Sequence, residues 1–129
     1  MAGRDNGDLA DVVVRDVDQY VDSLDALEVA MLLFRERQRT WSPEDVAREL
    51  RISVRVSRRE LDRMRTRGAA SEKDGDYRFD QSDVDKAAAV ARIAAAYGTK
   101  RIELINYVAS QTLKRIQSIA DAFKLKKDE

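Results

Sequence analysis

The chain has 129 residues, enough for one domain around one modest core. Hydrophobic residues make up 43% and charged residues 37%, with 5 Gly and 1 Pro, which favours a helical globular protein over a disordered chain or a β-sandwich. There is no cysteine and no histidine, so disulfides, thiol chemistry, the usual zinc sites and the commonest general base are excluded, and a net charge of zero gives no overall attraction to nucleic acid.

No run approaches the ~18 apolar residues of a membrane span. The polar, acidic N-terminus does not read as a secretory signal, so a cytoplasmic protein without membrane attachment is expected. A metal would have carboxylates alone to bind it, which restricts it to Mg- or Ca-like ions, and no cofactor or metal is expected. The charge is unevenly placed: −6 over Met1–Phe34, +5 over Arg35–Gly68 and +1 over Ala69–Glu129. Charges act within about a Debye length, ~8–10 Å, so the local arginine excess weighs more than the neutral total.

Met1–Asp8 is rich in Gly and Asp and is expected to be mobile. From Leu9 to Val21 the apolar residues Leu9, Val12, Val13, Val17, Tyr20 and Val21 recur at helical steps. The polar side carries Asp11, Asp16, Asp18 and Asp22. A carboxylate metal site lacks the loop and glycine of an EF-hand, so a solvated acidic face is expected, or one that shields a basic surface. Residues 1–22 thus form an N-terminal acidic segment. Ser23 can cap a second helix from Leu24 to about Arg39, with Leu24, Leu27, Ala30, Met31, Leu33 and Phe34 as its apolar set.

Residues 23–80 read as one unit. Trp41 sits where a short strand can precede the next helix, with its indole against a later hairpin. Ser42-Pro43-Glu44-Asp45 is a strong helix start: a capping hydroxyl, a proline that needs no N–H, and carboxylates at the positive helix end. Val46, Ala47 and Leu50 follow at helical spacing, and Ile52-Ser53 offers a turn and a new cap. The next helix is predicted from about Val54 to Arg67, ending at Gly68. Val54, Ser57, Leu61 and Met64 share one face, assigned to the core. Arg55, Arg59, Asp62, Arg63 and Thr66 fall on or near the opposite face, with Arg58 at its flank. Ala69–Glu72 and Asp76–Phe79 can then pair across Lys73-Asp74-Gly75 as a hairpin.

Helix, tight turn, basic helix and hairpin in this order, over Trp41–Phe79, resemble the winged helix-turn-helix of bacterial transcriptional regulators. The whole layout resembles the MarR-like group. That resemblance implies a second helix in the DNA major groove, a wing along the backbone or minor groove, and dimerisation through terminal helices. MarR-type wings carry an Asp-x-Arg element in a longer hairpin; here the turn is the short Lys73-Asp74-Gly75-Asp76, with Arg78 as a loose counterpart.

Residues 81–129 are expected to form two helices. Ser82-Asp83-Val84-Asp85 reads as a capping start to an Ala-rich helix that Gly98-Thr99 interrupts or ends. A helix so apolar must be covered by something. From Arg101 to Phe123, Ile102, Ile105, Val108, Ala109, Leu113, Ile116, Ile119 and Phe123 form a stripe at three- and four-residue steps. The stripe is longer than a small core needs, so a homodimer seam is expected; a single intramolecular bundle is the alternative. The charged tail from Lys124 is expected to fray.

The fold class expected is therefore mainly α: a winged helix-turn-helix with extra N-terminal and C-terminal helices. The function expected is a homodimeric regulator of transcription that binds double-stranded DNA. Arg55, Arg58, Arg59 and Arg63 would face the bases, because a planar guanidinium fork donates two hydrogen bonds to guanine at once. Ser42 and Ser53 mark helix N-termini that can hold phosphates, and Lys73 and Arg78 would be wing contacts. The plainer reading of the same arginines is a salt-bridged solvated surface, since acids lie three or four residues away. A protein-interaction adaptor, binding a partner through the C-terminal helix without DNA, is the second functional class. An enzyme is not expected: no Gly-rich phosphate loop and no base beside a nucleophile appear.

Overall fold

The computed structural model describes residues 9–127. The mobility expected for Met1–Asp8 and the fraying expected for Asp128 and Glu129 lie outside the described residues. In chain order the elements are α1 (Asp11–Tyr20), α2 (Leu24–Arg35), α3 (Pro43–Leu50), α4 (Val54–Thr66), β1 (Ala70–Lys73), β2 (Asp76–Phe79), α5 (Val84–Thr99) and α6 (Arg101–Lys127). The chain is mainly α, a winged helix-turn-helix with helices added at both ends.

Helix α2 is the centre. It touches α3, α4, α5, α6 and β2, and every residue from Ala26 to Leu33 except Glu28 is buried. Such all-round apolarity requires neighbours on every side. Glu28 accepts a hydrogen bond from the Tyr97 hydroxyl at 2.8 Å. Leu27, Leu32, Leu33, Leu61, Ile93 and Leu104 are the largest fully buried apolar side chains, and one contiguous core joins the helix-turn-helix to α1, α5 and α6.

The helix starts follow their local chemistry. The hydroxyls of Ser23, Ser42 and Ser53 accept from the backbone N–H of Ala26, Asp45 and Val56 at 3.0, 3.0 and 3.1 Å. Helix α5 differs by one residue from the sequence expectation. Its cap is the Asp83 carboxylate, while Ser82 turns back to donate its hydroxyl to Asp80. Helix α4 ends as its glycine predicts. Gly68 has φ 81°, its N–H reaches the Arg65 carbonyl, and the Ala69 N–H reaches the Met64 carbonyl. This double closure satisfies carbonyls that a helix end leaves open.

The hairpin pairs Ala70 with Phe79 through Lys73 with Asp76, closed by Asp74 and Gly75 at φ 55° and 87°. Two central residues with positive φ match the twist of the paired strands. Trp41 adds a one-residue third strand, exchanging two 2.7 Å backbone hydrogen bonds with Tyr77.

The acidic face of α1 is not simply solvated. Asp16 is buried and takes both Nε and Nη2 of Arg92 in α5, at 2.7 and 3.1 Å. Asp18 accepts from the Tyr107 hydroxyl and Asp22 from Arg63 and Arg67. These acids fasten α1 and the α1–α2 corner to distant parts of the chain.

Candidate nucleic-acid interface

Helix α4 is presented by α3 and α2 beneath it. It buries Ser57, Glu60, Leu61 and Met64, whereas Val54, assigned to the core, is 38% exposed. Val54 opens the first turn of α4. Ser57 is buried because it donates its hydroxyl to the Pro43 carbonyl at 2.8 Å, tying the two helices of the motif together. The tight turn between them uses Arg51 in the left-handed region, φ 58°, with the Ile52 N–H on the Ala47 carbonyl.

Arg55, Arg58, Arg59 and Arg63 all lie on the exposed side of α4, but in unlike states. Arg55 has no hydrogen-bond or ion-pair partner among the described residues. Arg58 pairs with Glu44 of α3 at 3.2 Å. Arg59 donates Nε to Glu60 at 3.0 Å, and Arg63 places Nη1 between Glu60 at 3.5 Å and Asp22 at 3.4 Å. Arg67 continues the row, on the Tyr20 carbonyl at 2.8 Å and the Asp22 carboxylate at 3.0 Å. An open groove of about 420 Å³ is lined by Arg59, Asp62, Arg63, Thr66 and Arg67.

One acid of α4 does not sit on the surface as the sequence suggests. The Glu60 side chain has no exposure at all. Its Oε1 has no hydrogen-bond partner, and neither has the buried Oδ1 of Asp22. Asp62 accepts from the Tyr77 hydroxyl of the wing at 2.5 Å and lies 3.8 Å from Arg65. Burial, and then the bond to Asp62, push the Tyr77 phenol up to about 12. The wing is thus latched to α4 by its own side chains.

Ser42 and Ser53 spend their hydroxyls as caps, so only the neighbouring backbone N–H groups remain for an anion at these helix starts. On the wing, Lys73 is exposed, and Arg78 donates to the Gln38 carbonyl at 3.3 Å. Glu72, Asp74 and Asp76 are exposed beside them, so the hairpin is not a basic surface. Trp41 is buried, with the Arg39 guanidinium 3.6 Å from its ring centre. Its indole packs against the wing and the helix-turn-helix.

The C-terminal stripe divides. Val108 is buried in the chain's own core beside Leu104, so it is unavailable to a dimer seam, and Ile105 and Ala109 are half covered. Helical steps of three and four define a stripe but not which part of it the same chain covers. Leu113, Ile116, Ile119 and Phe123 are 57–73% exposed, and Ile102 is exposed near the helix start. Thr112 and Arg115 both donate to the Asp22 carbonyl, where α6 passes the α1–α2 corner. Sequence reasoning missed this corner, where one aspartate meets α4 through its carboxylate and α6 through its carbonyl.

Among the described residues, no cluster of carboxylates is arranged to hold a metal ion, and no helix is long and apolar enough to cross a membrane. No protein-family model, curated protein or solved structure matches the chain.

Proposed function

We propose that this chain is a DNA-binding transcriptional regulator that acts as a homodimer, with α4 in the major groove of double-stranded DNA. One observation carries the reading. A row of arginines, with Arg55 unpaired among the described residues and Arg59 and Arg63 half exposed, stands on the outward face of a helix that α3 supports from below. Arginine suits guanine O6 and N7, and each good pair discriminates by about 1–3 kcal/mol. The MarR-like layout belongs to the same proposal. The wing has a lesser part in it, because its acids outnumber its bases and phosphate contacts there fall to Lys73 and Arg78 alone.

The dimer half rests on α6. Leu113, Ile116, Ile119 and Phe123 form a bare apolar stripe, and a second copy of the same stripe would cover it. Two α4 helices would then meet half-sites about one helical turn, ~34 Å, apart. The same stripe favours the second reading, an adaptor whose α6 binds a different protein and whose arginines serve only in ion pairs.

One experiment separates the two. Binding to random duplex is measured at two salt concentrations on a sample whose mass is read by light scattering. A particle of twice the chain mass, with binding that falls steeply as salt rises, is the expected result. A monomer without affinity for duplex at low salt would refute the regulator and favour the adaptor.

A further inference from the structure

Glu60 is the one acid on the buried side of α4, and its placement is costly. A carboxylate out of water loses its hydration, and this one leaves Oε1 without any hydrogen-bond partner. A purely structural position of this kind is served as well, or better, by an apolar side chain. What distinguishes Glu60 is its partners. Its Oε2 takes the Nε of Arg59 and lies near the Nη1 of Arg63, and both arginines have nearly half of their side chains exposed.

We propose that Glu60 is a positioning residue for base reading: its buried carboxylate fixes the guanidinium groups of Arg59 and Arg63 on the outward face of α4, so that they meet guanine already oriented. This rests on the DNA-binding reading above. The geometry suits it. With Nε held by Glu60, Arg59 keeps Nη1 and Nη2 as a coplanar pair aimed away from the backbone, the number and arrangement of donors that guanine O6 and N7 accept. Arg63 is held through Nη1 by Glu60 and by Asp22, leaving its Nε and Nη2 edge. Arg55 has no such anchor and must lose its side-chain freedom on binding. The helix therefore carries two kinds of arginine. Arg59 and Arg63 are held for discrimination, and Arg55 is free to find a phosphate or a base.

The test begins by selecting a preferred duplex from a random library with the full chain. Affinity for that duplex and for a scrambled one is then compared in the parent, Glu60→Gln and Glu60→Met. The ratio of the two affinities is expected to fall about tenfold in Glu60→Met, the order of one lost bidentate base contact. Glu60→Gln should fall less, because its amide oxygen still accepts from Arg59. Affinity for scrambled duplex should hold or rise, since one negative charge is gone, and thermal stability should not drop. A parent and two variants whose ratios agree within twofold would overturn the role of Glu60 while leaving the DNA reading intact. A parent that binds no duplex removes the DNA reading and this role with it. Arginine-detected NMR on the free parent gives a check that needs no DNA. The Arg59 Nε–H should exchange with water more slowly than that of Arg55 and should lose that protection in Glu60→Met; equal exchange rates in the parent would overturn the anchoring.

Discussion

On α4 the larger apolar side chains, Leu61 and Met64, lie beneath the surface and the arginines face outward; on the second half of α6, Leu113, Ile116, Ile119 and Phe123 face outward and no described residue covers them. The two kinds of exposure carry different costs. Exposed arginines are solvated, and most of those on α4 also have an acid within reach, so the helix is complete as it stands. Exposed apolar surface gives up roughly 25 cal/mol for every Å² left in water. Helix α6 therefore calls for a cover, and α4 calls for an anion or a base edge only where its arginines keep free donors.

The strongest way to break this contrast is to charge the bare stripe. In Ile116→Glu a carboxylate enters the surface that a second copy would cover, at a cost of about 3–5 kcal/mol for an unpaired buried charge, so self-association should weaken more than a hundredfold. Light scattering across a dilution series reads it, with the fold checked by circular dichroism. Ile116 serves better than Ile105, which half belongs to the chain's own core. A variant that keeps the parent's mass would take α6 out of the interface.

Ser57→Ala addresses the opposite helix from below. The hydroxyl is the tie between α4 and the Pro43 carbonyl, and its loss removes a buried hydrogen bond between the two helices, a cost of about 0.5–1.5 kcal/mol. Chemical denaturation should show the loss, with α6-driven association unchanged.

Arg55→Ala should weaken binding to duplex about tenfold with no change in melting temperature, because the side chain makes no hydrogen bond or ion pair among the described residues. If Arg55 meets a phosphate, the slope of log affinity against log salt should also flatten by about 0.9. Arg59→Ala is a less clean probe, since it removes a partner of the buried Glu60 and should lower the melting temperature as well. Binding by Arg55→Ala equal to that of the parent would take this end of α4 off the DNA.

Much of the helix-turn-helix was legible because its signals are local. Ser42, Pro43 and Ser53 fix helix starts by the hydrogen bonds they can or cannot make, Gly68 closes α4, and Asp74-Gly75 supplies the positive φ of the hairpin. The acids were not legible in the same way. Asp16 meets Arg92 and Asp22 meets Arg63 and Arg67 across long stretches of chain. No periodicity encodes such pairs, because tertiary placement alone brings them together. Glu60 looked like one more solvated acid, since its spacing from Arg63 fits a surface pair; its burial is set by tertiary packing. Val108 shows the same limit from the apolar side, where a continuous stripe conceals the point at which the chain's own cover ends.

The smallest effect expected concerns the latch between wing and α4, and its direction follows from the phenol of Tyr77. Folding raises that group from 10.0 to about 12, first by burial and then by the bond to Asp62. The folded chain therefore keeps a proton that the unfolded chain releases. Stability from this source is fully present below about pH 10 and is lost as pH rises through about 12. Tyr20 and Tyr97 are also raised, in each case mainly by burial, so the whole chain should weaken over an alkaline range. Tyr77→Phe should make the fall in denaturation midpoint between about pH 9 and about pH 11 shallower without abolishing it. At neutral pH it should cost only about 1 kcal/mol, since Asp62 keeps Arg65 close by. A variant as pH-sensitive as the parent would show that the hydroxyl of Tyr77 contributes nothing to the hold of the wing on α4.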